Sequence, residues 1–132
     1  MFEIKRLIKN IEICGLDVSK HALKQAHPAI KKKLFQYDMK KKLKFNNNQF
    51  DLVLAIGSLH NFEIYDLTLA VNEISRVGKK SYVMVESYRN WQELFNLQCW
   101  ALVLNACHSK KEWEWIFKIN KFKGDYEFIY FK

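Results

Sequence analysis

The chain has 132 residues, of which 49% are hydrophobic and 27% charged, and its formal net charge is +8. This composition excludes a disordered chain, and the length favours one domain, predicted over residues 1–132. Apolar runs stay well below the roughly eighteen residues of a membrane span, and the N-terminus lacks a signal-peptide core, so we expect a cytoplasmic protein without a membrane partner.

The predicted elements mostly alternate between strands and helices. In chain order they are a weak helix over 2–10, a strand over 11–18, a helix over 19–27 that Pro28 closes, a strand over 33–39, the clearest buried strand over 50–56, a helix over 63–77, a strand over 81–87, helices over 91–97 and 110–120, and a terminal strand over 125–131. Ser19, Asn90 and Ser109 are predicted N-caps, and Gly78 a C-cap. This order predicts an α/β sheet with helices on its faces.

Polar residues follow three of the predicted strands, where ligands bind in open α/β sheets. Asp17 could accept hydrogen bonds from both hydroxyls of a ribose, or merely cap the next helix. Asp38 could accept from an exocyclic amine such as that of adenine, or face solvent among lysines. Gly57 allows a close approach of ligand or backbone, and His60 follows it as either a pocket residue or a structural histidine.

Four segments together resemble a class I S-adenosylmethionine-dependent methyltransferase, within the group of type 11-like domains. They are GLDVS at 15–19, QYDM at 36–39, FDLVLAIGSLHNF at 50–62 and EISRVGKKSYVMVES at 73–87. The resemblance implies a Rossmann-like sheet, S-adenosylmethionine as cofactor, and methyl transfer to a small-molecule acceptor.

The resemblance also implies roles for individual residues, taken from the family's pattern. The cofactor-binding residues would be Asp17 at the ribose, Val18 beside the adenine, Asp38 at the adenine amine, Met39 on the ring, and Ala55, Ile56 and Gly57 along the methionine part. His60 is the candidate catalytic base. The acceptor pocket would be shaped by Glu86, Tyr88, Arg89 and Trp91, which could instead be a strand end running into a capped helix.

One part of the family pattern is absent from the sequence. The family's first strand leads into a glycine-rich GxGxG loop, whereas the four glycines here are scattered singly at 15, 57, 78 and 124. We therefore expect an N-terminally truncated, partial domain that lacks the first strand and this loop. The alternative to an active enzyme is a non-catalytic remnant of the same fold, with a partner chain that completes the sheet.

Charge and cysteine content raise two other interpretations. The positive charge comes mostly from lysines, in runs at 31–33 and 40–44, while only three arginines occur. Specific phosphate recognition favours arginine, so a solvated lysine surface is preferred to a nucleic-acid-binding module, which remains a further alternative. A nicotinamide-binding Rossmann domain is the last alternative, although such a domain also needs a glycine-rich loop. The three cysteines have no CxxC spacing, which predicts no metal site.

Overall fold

The computed structural model describes residues 1–101 and 107–132, and in this part of the chain helices alternate with parallel strands. The prediction of an α/β fold is therefore confirmed. The chain divides into two compact units, residues 1–39 and residues 40–132. One partial domain over 1–132 stays a prediction beside this division.

The first unit is built around a short pair of parallel strands. Its elements are α1 (Phe2–Leu7), β1 (Gly15–Asp17), α2 (Lys20–Gln25), α3 (Pro28–Lys31) and β2 (Leu34–Gln36). Ser19 caps α2 as predicted, because its Oγ accepts from the backbone N–H of Ala22 at 3.2 Å. The helix predicted to extend to 27 ends at Gln25. Pro28 then opens α3, since a missing N–H is harmless in a first helical turn.

The second unit contains the longer elements. They are β3 (Phe50–Ile56), a 3₁₀ turn (Leu59–Asn61), α4 (Ile64–Val77), β4 (Gly78–Glu86), α5 (Trp91–Trp100), α6 (Lys110–Ile119) and β5 (Asp125–Ile129). The strands form a parallel sheet in the order β3-β4-β5, with Ala55 opposite Val83 and Val83 opposite Tyr126. Because the strands are parallel, the carboxyl ends of β3 and β4 lie at the same edge of the sheet.

The core of this unit lies between α4, α6 and one face of the sheet. Val83 and Val85 of β4 are fully buried, as are Leu67 and Ile74 of α4 and Trp113 of α6. Apolar residues at spacings of three and four place one stripe of α4 against the sheet. This packing holds the strand ends in place, and the candidate site is formed there.

The prediction that strand 50–56 is buried holds for one of its faces only, since Leu52, Leu54 and Ile56 are 54%, 41% and 51% exposed. Successive side chains of a strand alternate between faces, and only the Val53 and Ala55 side faces the covering helices. Gly78 is the C-cap of α4 as predicted, and its φ of −100° is extended because the chain passes directly into β4.

The predicted caps of the two later helices are present. Ser109 and Glu112 form a complete capping box at the start of α6. At α5, Asn90 Oδ1 accepts from the N–H of Glu93 at 3.0 Å. In a complete capping box the carboxylate of Glu93 would accept from the N–H of the N-cap residue, Asn90. Here it accepts from the N–H of Arg89, one residue earlier, so the second capping box is incomplete.

Candidate functional site

In the first unit, β1 ends at an exposed carboxylate. Asp17 Oδ1 accepts from the N–H of Ser19 at 2.8 Å, and the carbonyl of Asp17 accepts from the N–H of Tyr37 at 3.1 Å. The carboxylate therefore supports the turn into α2 and remains accessible, and its role at a ribose stays a prediction. Val18 beside it is 65% exposed.

The second predicted pair in this unit follows β2. Asp38 and Met39 are both half-buried, two and three residues after the strand ends at Gln36. The Gln36 amide donates to the carbonyl of Val18 at 3.1 Å, which ties the two strand ends together. Asp17 and Asp38 thus both follow the carboxyl ends of paired strands, as the sequence predicts.

In the second unit, β3 runs into a tight turn at Gly57. Its N–H donates to the carbonyl of Met84 at 2.9 Å, and its φ of +56° lies in the left-handed region that favours glycine. A Cβ at this position would lie 3.3 Å from Glu86 Oε1. Gly57 therefore permits both the turn and the close approach of the Glu86 carboxylate.

The turn places His60 against the end of β4. Leu59 is fully buried and anchors the 3₁₀ turn, so that the neighbouring imidazole is directed to the strand end. His60 Nδ1 lies 2.5 Å from Glu86 Oε2, with side-chain exposures of 12% and 5%. The structure thus brings Glu86 to Gly57 and His60, from which it is more than 25 residues away in sequence. Of the other predicted cofactor residues of β3, Ala55 is buried and Ile56 is half exposed.

Glu86 is buried, but its hydrogen bonds favour the carboxylate form. Desolvation raises the pKa of its carboxyl, but hydrogen bonds from His60 and from the backbone outweigh burial, and the pKa lies below its usual range. The backbone is held as well, because the Trp113 indole donates to the carbonyl of Glu86 at 3.1 Å. A histidine beside a buried carboxylate can exchange a proton with a bound molecule.

The rest of the predicted acceptor pocket has other partners. The Arg89 guanidinium pairs with Glu93 and lies 4.1 Å from the centroid of the Tyr130 ring. Tyr88 is half-buried, and burial raises the pKa of its hydroxyl. Trp91, at the start of α5, is 80% exposed. Glu86, by contrast, is hydrogen-bonded to His60.

Sequence reasoning missed two buried carboxylates. Glu93 is 4% exposed and accepts hydrogen bonds from Arg89, a pairing that its position in a capping box did not reveal. Glu73 is 6% exposed on the apolar stripe of α4 and accepts from the N–H of Leu43 at 2.6 Å. An acidic residue on an apolar stripe was the available signal, because such a residue requires a buried donor.

A cavity of about 570 Å³ lies at the opposite end of the sheet from His60, beside the amino ends of β4 and β5. It is lined by lysines, among them Lys80, Lys121 and Lys123. Within residues 1–101 and 107–132, no group of three histidine, cysteine or acidic side chains could hold a metal ion. The same residues include no helix long and apolar enough to cross a membrane.

Comparison with known proteins gives one family and one fold. A family model described as a methyltransferase domain matches residues 1–121. The YcgJ protein from Bacillus subtilis, a solved structure, has a similar fold, with a TM-score of 0.62 and 21% sequence identity. The match covers 81% of this chain and 50% of the YcgJ chain, so this chain spans about half the length of that protein. No curated protein matches.

Proposed function

The chain belongs to the methyltransferase domain family, and we propose that it transfers a methyl group from S-adenosylmethionine to a small-molecule acceptor. The observation that carries this proposal is the family match over residues 1–121. The fold shared with YcgJ supports the same Rossmann-like framework.

The exposed end of β1 fits the nucleoside part of the cofactor. The Asp17 carboxylate is exposed, and its only hydrogen bond within the described residues uses Oδ1, so Oδ2 can accept from ribose hydroxyls. Val18 offers an exposed apolar surface for a flat base. We assign Asp38 to the adenine amine and Met39 to the ring, where the half-buried thioether is suited to aromatic contact.

The end of β3 fits the amino-acid part. Gly57 has no side chain and left-handed geometry, which leaves room beside Ala55 and Ile56 for a ligand to approach the backbone. When bound, S-adenosylmethionine supplies a methyl group on a sulfonium, whose sulfur is a good leaving group. The chain's own task is then alignment, exclusion of water and removal of a proton.

His60 is the residue we assign to proton removal. It is held at the end of β4 by Glu86. Tyr88, Arg89 and Trp91 follow β4 and would shape the space in which the acceptor lies. Trp91 offers an exposed aromatic surface for an organic acceptor.

A non-catalytic role is the second candidate, favoured by the lack of a GxGxG loop in the printed sequence. In that case a partner chain would supply a strand and loop, and the chain alone would not bind the cofactor. Among the strands of residues 1–101 and 107–132, β3 pairs with β4 alone, and so has an edge on which such a strand could pair.

Calorimetric titration of the full chain with S-adenosylmethionine separates the two candidates. We expect saturable binding, weakened about tenfold by Asp17→Asn, because a neutral amide replaces a charge-assisted acceptor. The amide oxygen keeps the bond to Ser19, so the fold is preserved. Asp125→Asn, an equally exposed change at the start of β5, should leave binding unchanged. A folded chain that releases no heat of binding would contradict the proposal and support the non-catalytic candidate.

A further inference from the structure

We propose that Glu86 is a positioning residue for His60: it holds the imidazole with its proton on Nδ1 and leaves Nε2 ready to take a proton from a hydroxyl or amine acceptor. The part played by the acceptor rests on the proposed function. The arrangement of the two side chains does not, and it can be measured without cofactor or acceptor.

The contact between the two side chains determines which nitrogen carries the proton. His60 Nδ1 lies 2.5 Å from Glu86 Oε2, which is a strong hydrogen bond. An ionised carboxylate can only accept, so Nδ1 must donate. In a neutral imidazole one nitrogen donates and the other accepts, and Nε2 is therefore the free base.

Burial makes this hydrogen bond difficult to exchange for water. The side chain of Glu86 is 5% exposed and that of His60 is 12% exposed. A buried carboxylate without a donor would be costly, so the folded chain favours the tautomer that satisfies it. The lowered pKa of Glu86 agrees with this, since it keeps the carboxylate charged at neutral pH.

Backbone hydrogen bonds and packing fix the positions of both Glu86 and His60. The carbonyl of Glu86 accepts from the Trp113 indole, and the next N–H, of Ser87, donates to Ile129 at 3.0 Å. On the other side, Leu59 anchors the turn that carries His60. Gly57 completes the arrangement, because a side chain there would press on the second carboxylate oxygen. A general base held in this way loses little entropy when it acts.

The His60 tautomer with a free Nε2 favours methyl acceptors that lose a proton during the transfer, namely hydroxyls and amines. In the transfer, the acceptor oxygen or nitrogen forms a bond to the methyl carbon, and the carbon–sulfur bond breaks with its electron pair going to sulfur. The acceptor's proton passes to His60 Nε2, and the imidazolium so formed is stabilised by the Glu86 carboxylate. A thiol ionises readily by itself and would gain little from this pair.

Long-range ¹H–¹⁵N spectra of the full chain, recorded where imidazoles are neutral, test the proposal directly, with the His60 signal assigned by its loss in His60→Gln. In the wild type we expect the Nδ1–H form in about tenfold excess or more, the ratio that a charge-assisted hydrogen bond supports. Glu86→Ala should abolish that excess. Glu73→Ala, which removes a buried carboxylate that is hydrogen-bonded to Leu43 and Arg76, should not change it.

The wild-type spectrum alone decides the question if Glu86→Ala does not fold: a neutral His60 protonated on Nε2 overturns the proposal. Cofactor titration keeps the two hypotheses apart. Binding of S-adenosylmethionine with the wrong tautomer defeats the positioning role and leaves the methyltransferase function intact. The expected tautomer in a chain that binds no cofactor defeats the function and leaves the positioning of His60 intact.

Discussion

Glu73 and Arg76, three residues apart on α4, form a largely buried ion pair that also holds the segment before β3. Arg76 Nε lies 2.7 Å from Glu73 Oε1, and its guanidinium donates to the carbonyls of Leu43 and Phe45. The other Glu73 oxygen accepts from the N–H of Leu43. Leu43 and Phe45 lie outside helices and strands, and the pair therefore supplies the hydrogen bonds that regular secondary structure would otherwise give to their backbone groups.

Glu73→Ala should destabilise the chain by about 1–3 kcal/mol, because it leaves the buried N–H of Leu43 without an acceptor. Urea unfolding followed by circular dichroism measures the change. Glu114→Ala is the matched control, since Glu114 forms an exposed ion pair with Lys110 at 3.7 Å on α6 and should cost less than about 0.5 kcal/mol. Equal losses for the two variants would show that the Glu73 bond to Leu43 contributes nothing.

Stability should also fall in acid through Glu73. The hydrogen bond from Arg76 holds the pKa of this carboxyl below its usual range, although burial acts in the opposite direction. A folded-state pKa that is lowered contributes stability that is present above the unfolded-state value and is lost as pH falls through the folded-state value. Glu73→Gln should therefore be less stable than the wild type at pH 7, with a gap that narrows below about pH 4. A gap that is constant with pH would contradict this assignment.

Gly57→Ala should destabilise the second unit by about 1–2 kcal/mol, since its φ of +56° disfavours a side chain. The added Cβ would also lie within 3.3 Å of Glu86 Oε1. Thermal unfolding measures the loss. Ser58→Ala, at the next position, should change stability little, because the Ser58 side chain makes no capping hydrogen bond. An alanine variant as stable as the wild type would mean that the turn at 57 adopts another conformation in solution.

Alanine substitutions of two isoleucines test whether only one face of the sheet is buried. Ile74→Ala should cost about 2–5 kcal/mol, because Ile74 is fully buried. Ile56→Ala should cost less than about 1 kcal/mol, because Ile56 is 51% exposed and loses little buried area. Urea titration of the ligand-free chain compares them. A large loss at Ile56 would show that this face of β3 is covered in solution.

The lysine-rich surface yields a prediction about nucleic acid. The lysines of the 40–44 run are exposed, whereas Leu43 between them is buried. We expect double-stranded DNA to bind no more tightly than about 1 μM at physiological salt, the range of non-specific binding, with affinity falling steeply as salt rises. Fluorescence anisotropy at several salt concentrations measures this. Much tighter binding at physiological salt, with an affinity that falls steeply as salt rises, would favour the nucleic-acid-binding alternative, and absent or salt-insensitive binding would remove it.

Local signals in the sequence predicted many of the elements and part of the candidate site. Ser19 and Ser109 were recognisable as caps because capping depends on residues two to four positions apart. Asp17 and Gly57 were found at strand ends because a strand's apolar run stops where the loop begins. The prediction that β3 is a buried strand holds for one of its faces only, because a continuous apolar run does not show whether one face or both are covered.

The sequence by itself determined the family, the alternation of strands and helices, and the residue types available for chemistry. Only the tertiary structure decided which of them meet. Glu86 reaches His60 across 26 residues, and Glu73 reaches Leu43 across 30. Such contacts depend on strand register and helix packing, which bring distant positions together, and no local sequence pattern predicts them. The sequence therefore shows that an acidic residue is present, but only the fold determines which group it contacts. For Glu86 that contact also determines which nitrogen of the His60 imidazole carries the proton.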